Sequence, residues 1–566
     1  MVGSFDMKTS HLFAAVSLFA LTGCQTFQNG TQPEPGQSVA EIAGAPLFEG
    51  MGNFHREITT TSPDAQKYFD QGMVLAFGFN HAESIRSFRA AQKLDPDCAM
   101  CYWGEALATG PNINVTSKGK AVMSPADRAS AYRAIKRADA LKAGATPSEQ
   151  ALIEALLTRY SADFNAPREP QDIAYAEAMG AYVEAHPLDD DAAAMYAEAW
   201  MNTMPWDYWS ADGAPKPETV KVISALETIL ERSPDHALAL HLYLHAVEAS
   251  SDPGRAEDEA DRLYTLVPGS GHLVHMPAHI YWRVGRYDDA ALANIQAAKV
   301  DEDYIAQCNA QGFYPALYYP HNIHFLWAAA SMSGQSALAL ETAQKLADNV
   351  RIEQIKEFPT IEFFKTVPLL AHVQFAKWNE ILAMDAPPAD LDYSNAIWHY
   401  ARGVALARTG LAEPAKAEQA ALAKVKDTVQ IQFMDTNDYP ASLLLNIADK
   451  LLLGEIAGAE GDDAASIAAF EEAVALQDSL PYTEPPFWYY PTRQSLGEAL
   501  VKAGRHAEAE AVYRKDLSDH PHNGWSMAGL ALVLEQQGKA DEAEMVRSHF
   551  DMVWAKADVT PVGSRL

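Results

Sequence analysis

Residues 68–96 read YFDQGMVLAFGFNHAESIRSFRAAQKLDP. Four positions in this stretch decide the reading. Gly72 is a small residue that lets two helices approach closely. Phe88, sixteen residues on, is an aromatic plug. Ala91 is a second small residue, and Pro96 stops the helix. The same spacing returns far along the chain, with Gly454, Phe470 and Ala473 in one unit and Gly497, Gly504, Ala509, Tyr513 and Pro521 in another. Gly538 follows Gly504 by 34 residues, and Ala543 keeps the step set by Ala509. Gly403, Gly410 and Ala415 mark a further unit.

The middle of the chain repeats as well. Pro187 and Pro234 each close a helix, and Pro268 follows Pro234 by 34 residues. Ala256 and Ala290 are also 34 apart, and Gly285 and Gly334 take equivalent places. A 34-residue period with small, aromatic and proline positions in this order resembles the tetratricopeptide repeat. The resemblance covers most of residues 65–555, with insertions near 108–125, 202–218 and 301–319. It implies an all-α fold, a right-handed α-solenoid of helix hairpins. In such a stack each unit buries its apolar face only against its neighbours, and the inner helices line a concave groove.

Length and composition agree. At 566 residues the chain exceeds what one compact core accommodates, and its Ala-rich, 48% apolar composition favours packed helices. The formal net charge of −32 argues against nucleic acid and against electrostatic binding to anionic lipid.

The N-terminus carries a different signal. Met7-Lys8 precedes an apolar stretch, His11 to Leu21, that ends in Leu21-Thr22-Gly23-Cys24. This resembles the lipobox of bacterial lipoproteins, which implies cleavage after residue 23 and lipidation of Cys24. The apolar stretch is short for a membrane span. Gln25, rather than Asp, resembles the outer-membrane sorting signal. The expected organisation is a signal peptide at 1–23, a flexible tether at 24–50, an N-terminal and central solenoid at 51–350 and a C-terminal solenoid at 351–566. The expected place is the outer membrane, lipid-anchored and facing the periplasm.

Eight of the eighteen histidines fall between residues 236 and 324, so this part of the solenoid is chemically unlike the rest. With repeats starting at Ala237, Gly271 and Pro320, three histidines, His241, His275 and His324, share one repeat position. His245 and His279 share a second, and His272 and His321 a third. In the tetratricopeptide family these positions look into the groove. His241/His245 and His275/His279 are i, i+4 pairs, each on one helix face, and His321/His324 is an i, i+3 pair. Neighbouring helices could therefore bring imidazoles to one or two ions, with Glu198 or Glu248 as a carboxylate ligand. Such a donor set suits zinc, copper, iron or nickel. His272, Glu248 and Arg283 are expected as groove-binding residues. If the helix begins at Pro277, His272 and His275 lie in the loop before it, while His279 stays helical.

Other features point less clearly to chemistry. Cys98 and Cys101 form a C-x-x-C read chiefly as two core thiols, with a disulfide as the alternative in an oxidising compartment. The Met- and Trp-rich stretch 201–209 and the aromatic stretch 485–491 read as packing plugs. Neither H-E-x-x-H, G-x-S-x-G, a phosphate-cradling glycine loop nor a dinucleotide fingerprint occurs. Two functions are therefore expected. One is a binding scaffold for an envelope protein or peptide, without chemistry of its own. The other is a transition-metal protein or metalloenzyme built on the groove histidines.

Overall fold

A computed structural model describes residues 38–566 apart from 118, 119, 211 and 309–313. Cys24 and the leader before it lie outside the described residues. The chain is a stack of antiparallel helix hairpins, and one two-residue β-hairpin in the 110–124 insertion, Thr116–Ser117 against Lys120–Ala121, interrupts it.

The first complete hairpin shows how the sequence builds each unit. Helix Pro63–Phe77 starts where Ser62 accepts a hydrogen bond from the Ala65 N–H, with Pro63 in the first turn. Its partner is helix His81–Leu94. A side chain on Gly72 would put Cβ 2.8 Å from the Phe88 ring, so only glycine admits the plug. Ser84 then donates to the Gly72 carbonyl at 2.6 Å. The same three residues recur in helices Ala441–Glu460 and Asp463–Asp478. There Phe470 fills the space over Gly454, and Ser466 donates to the Gly454 carbonyl at 2.9 Å. Tyr513 plugs Gly497 in like manner.

The hairpins join into one continuous apolar core that runs through all the repeats. The stack also coils tightly enough for distant repeats to touch. Near the start, the Gly269 N–H donates to the Gly50 carbonyl at 2.8 Å, and Tyr304 reaches Glu83 at 3.3 Å. At the far end, Trp525 Nε1 donates to the Ser331 carbonyl at 3.0 Å. Asp558 caps helix Ser336–Asn349 by accepting from the Ser336 and Ala337 N–H groups at 2.6 and 2.9 Å. Gly285 takes φ +82° and lies so close to the Pro521 carbonyl that any Cβ would collide with it. The inner face of the central repeats is consequently covered from both directions.

The disulfide alternative holds at Cys98–Cys101, which are bonded rather than two separate thiols. Cys98 is also the N-cap of helix Ala99–Thr109. No helix among the described residues is long and apolar enough to cross a membrane.

Candidate metal centre

Three successive layers of the stack converge on one buried spot. Helix Ala237–Val247 carries His241 and His245 one turn apart, and Glu248 follows as its C-cap residue. The next layer is split into Gly271–His275 and Pro277–Val284. Met276, between them, keeps helical dihedrals, its N–H bonds to the His272 carbonyl, and the His279 N–H bonds back to Met276. Pro277 thus starts a second helical segment without turning the chain away, and His272, His275 and His279 form one stripe. Helix Tyr319–Met332 supplies His321.

The six imidazoles fall into two triplets. In the first, His241 Nε2 lies 3.2 Å from His272 Nε2, and ligand atoms of His241, His245 and His272 fall within 4.8 Å of one another. In the second, His275 Nε2 lies 2.8 Å from His279 Nε2 and 3.1 Å from His321 Nε2. This triplet meets the same 4.8 Å limit. Glu248 ties the two together. Its Oε1 is 2.7 Å from His245 Nδ1 and its Oε2 is 2.5 Å from His279 Nδ1.

These contacts fix the tautomers. Burial alone would raise the Glu248 carboxyl, but the charge and hydrogen bonds of His279 and His245 overcome it and hold the group below its ordinary range. An ionised carboxylate only accepts, so both Nδ1 atoms carry the hydrogen. Asn294 donates its Nδ2 to the Ala290 carbonyl and leaves Oδ1 facing His275 Nδ1 at 2.7 Å, so that ring also donates through Nδ1. With Nδ1 donating, a ring that carries no second proton presents its Nε2 as a lone pair, and this holds alike for His245, His275 and His279. His245 Nε2 is buried and without a hydrogen-bond partner among the described residues. His275 Nε2 and His279 Nε2 face each other across 2.8 Å.

The surroundings are apolar and tight. His241, His245, His272, His275 and His279 are at most 3% exposed, so the expected open groove is closed here. Phe79, from the turn of the first hairpin, sits 4.6 Å from His241 and 5.2 Å from His272, ring centre to ring centre. Phe325 lies 5.3 Å from His275 and 5.1 Å from His279, and Trp206 meets His245 edge-on at 5.2 Å. Burial first, then the crowding of like imidazoles, pushes the pKa values of His241, His272, His275 and His321 far below the ordinary histidine value.

Three expected residues stand elsewhere. His324 does not join the cluster. The i, i+3 step from His321 rotates it toward the next layer, where it stacks on Trp327 at 5.3 Å and meets Phe363 and Phe364 at 5.5 Å. Glu198 lines a separate small cavity with His81 and Arg159, where burial raises its carboxyl to about 6 against the pull of Arg159. Arg283 does not face an open groove. It donates to the Glu248 and Ser250 carbonyls and lies over the Tyr482 ring. Met201 and Met204 pack in the core, as a plug should. Phe79, Asn294 and Glu484 escaped the sequence reading. Glu484 approaches His279 Nδ1 at 3.7 Å from a segment more than two hundred residues away. Only the tight coil brings it there, and no local pattern announces it.

Residues 495–544 match the tetratricopeptide repeat family. The chain carries tetratricopeptide repeats. That match contains Gly497, Gly504, Ala509, Tyr513 and Gly538, the positions that set the repeat frame. Solved structures with a similar course include a human IFIT1 dimer with m7Gppp-AAAA, 12% identical, covering 76% of this chain and 87% of that one at a TM-score of 0.32. The P58(IPK) TPR domain is 12% identical, covering 88% and 100% at 0.24. Yeast Tom70 is 11% identical, covering 88% and 92% at 0.26. No curated protein matches the chain. The described residues share the stacked helix-hairpin architecture of tetratricopeptide repeats.

Proposed function

We propose that this protein is a transition-metal-binding tetratricopeptide lipoprotein, held to the bacterial outer membrane by lipid on Cys24 and facing the periplasm. One observation carries the metal reading: Nε2 of His275 and Nε2 of His279 face each other across 2.8 Å in a buried site, while each ring uses its Nδ1 on another partner. Two lone pairs repel, so a cation belongs between them. A shared proton would join two bases, yet a third nitrogen, from His321, converges on the same point at 3.1 Å. A metal ion uses all three. At metal–nitrogen bonds of about 2.0 Å, three ligating nitrogens lie about 3.3–3.5 Å apart, so the rings need to part by only a few tenths of an ångström.

Glu248 has the place of an outer-shell residue. A carboxylate on the far nitrogen of a ligating imidazole fixes the tautomer and raises ligand basicity. The envelope part of the reading rests on the Leu21-Thr22-Gly23-Cys24 sequence and on the Cys98–Cys101 disulfide, which suits an oxidising compartment. The outer faces of the repeats remain for an envelope protein or peptide partner.

The test is elemental analysis of the full chain, purified without a histidine tag after growth with zinc, copper and iron. Metal should stay with the protein through gel filtration, and its content should fall in a His275→Ala/His279→Ala variant. Less than about 0.1 ion per chain, or equal metal in both proteins, would contradict the reading.

A further inference from the structure

We infer that the cluster is built for two ions rather than one, and that the pair is copper, each ion held by three histidine Nε2 atoms. This rests on the metal reading above and goes beyond it. The first site is His241, His245 and His272, and the second is His275, His279 and His321.

The division into two follows from the ring geometry. Within the first triplet the ring centres are 4.9, 4.9 and 6.1 Å apart. Within the second they are 4.8, 4.8 and 5.9 Å apart. Each triplet therefore has the same shape, one ring close to two others that stand slightly further apart. The triplets meet at His245–His279, 5.6 Å, and His272–His275, 5.8 Å. Glu248 spans the first of these junctions, one oxygen on each ring. A single ion at the second triplet would leave His245 Nε2 a buried, unpaired acceptor, and a single ion at the first would leave the three converging nitrogens of His275, His279 and His321 without one. Such an orphan is costly and rare.

The donor set selects copper. The two triplets are made of imidazoles alone, and the Glu248 carboxylate, which also groups with His245 and His279, has its oxygens on their Nδ1 atoms rather than at Nε2. Zinc in a three-histidine site takes a fourth ligand and brings two charges. Copper(I) is content with three ligands and brings one. The walls are Phe79, Phe325, Trp206 and Tyr318, and burying charge among apolar groups is expensive. Two single charges beside the Glu248 carboxylate cost far less than two double ones.

The experiment titrates the full chain with copper(I) alone, anaerobically, against a chromophoric copper(I) chelator. The expected count is two per chain in the wild type. It should be one in His241→Ala/His272→Ala and one in His275→Ala/His321→Ala. One copper in the wild type overturns the pair and none overturns the copper assignment, while the metal reading itself stands or falls on the elemental analysis above. If a double variant misfolds by circular dichroism, the wild-type count still decides. As a second readout, ferricyanide oxidation should give the wild type a broadened, intensity-deficient copper(II) resonance from two interacting ions. A full-intensity signal of isolated copper(II) from both ions overturns the shared site. Zinc retained in preference when both metals are offered overturns the assignment to copper.

Discussion

Glu248 is the residue on which the cluster's chemistry turns. It sits at 0% exposure, yet its two oxygens face His245 and His279 rather than a lysine or arginine side chain. Glu248→Gln keeps the shape and replaces one acceptor by a donor, so one of the two rings must change tautomer and turn an N–H toward the metal. Copper affinity should fall about 10–100-fold in competition titrations, with folding intact. Unchanged affinity would remove Glu248 from the site. A second buried carboxylate gives a separate test. Glu362 accepts from the Ser394 N–H at 2.7 Å and Gln430 Nε2 at 2.6 Å, but burial pushes its pKa up to about 7. The folded protein keeps this proton over the interval from about pH 4.5 to 7, where the unfolded chain has released it. Stability from this group is therefore greatest below about pH 4.5 and declines as pH rises to 7, by up to about 3 kcal/mol. Thermal melts of wild type and Glu362→Gln should diverge across that interval and run parallel above it. Parallel curves throughout would contradict the assignment.

Helices and hairpins were the most legible scale. Gly72–Phe88, Gly454–Phe470 and Gly497–Tyr513 were readable because small and aromatic residues recur at fixed spacing, and each pair is in contact. The serine hydrogen bonds at Ser84 and Ser466 share that spacing and went unread, since serine is common on any exposed helix face. The i, i+4 pairs were legible for the same reason as the repeats, and with His321 from the i, i+3 pair they led to five of the six imidazoles, with His272 expected as a groove contact instead. His324 shows where register fails. Sharing a repeat position does not mean sharing a layer, and packing against Phe363 and Phe364 decides its direction. The hairpin device itself predicts a contrast. Gly454→Ala places a methyl 2.5 Å from the Phe470 ring, an overpacking cost of about 1–3 kcal/mol that exceeds the gain of about 1 kcal/mol in helix propensity. At Gly458, in the same helix, the nearest atom is the Ser466 hydroxyl at 3.4 Å. Gly454→Ala should lower the melting temperature, and Gly458→Ala should leave it unchanged or raise it. The opposite order would show that the plug does not set the hairpin.

At the scale of the whole molecule, sequence alone suggested an open groove, and the structure closes it. Closure comes from contacts between repeats far apart in sequence: Gly285 with Pro521, Trp525 with Ser331, and Tyr482 with Glu248 at 3.4 Å. A 34-residue period fixes how neighbours stack but says little about how many turns later the coil meets itself, so Glu484 and Phe79 could not be anticipated as walls of the site. Closure also changes the kind of function the histidines suit. Largely buried, they are poorly placed to hold an extended peptide and well placed to hold an ion. The measurement that tests this most directly is anomalous diffraction at the copper edge from crystals of the copper-loaded protein. The expected map has two peaks, one within bonding distance of Nε2 of His241, His245 and His272, and one within bonding distance of Nε2 of His275, His279 and His321. Peaks confined to surface histidines, or an empty map at the cluster, would contradict the metal centre.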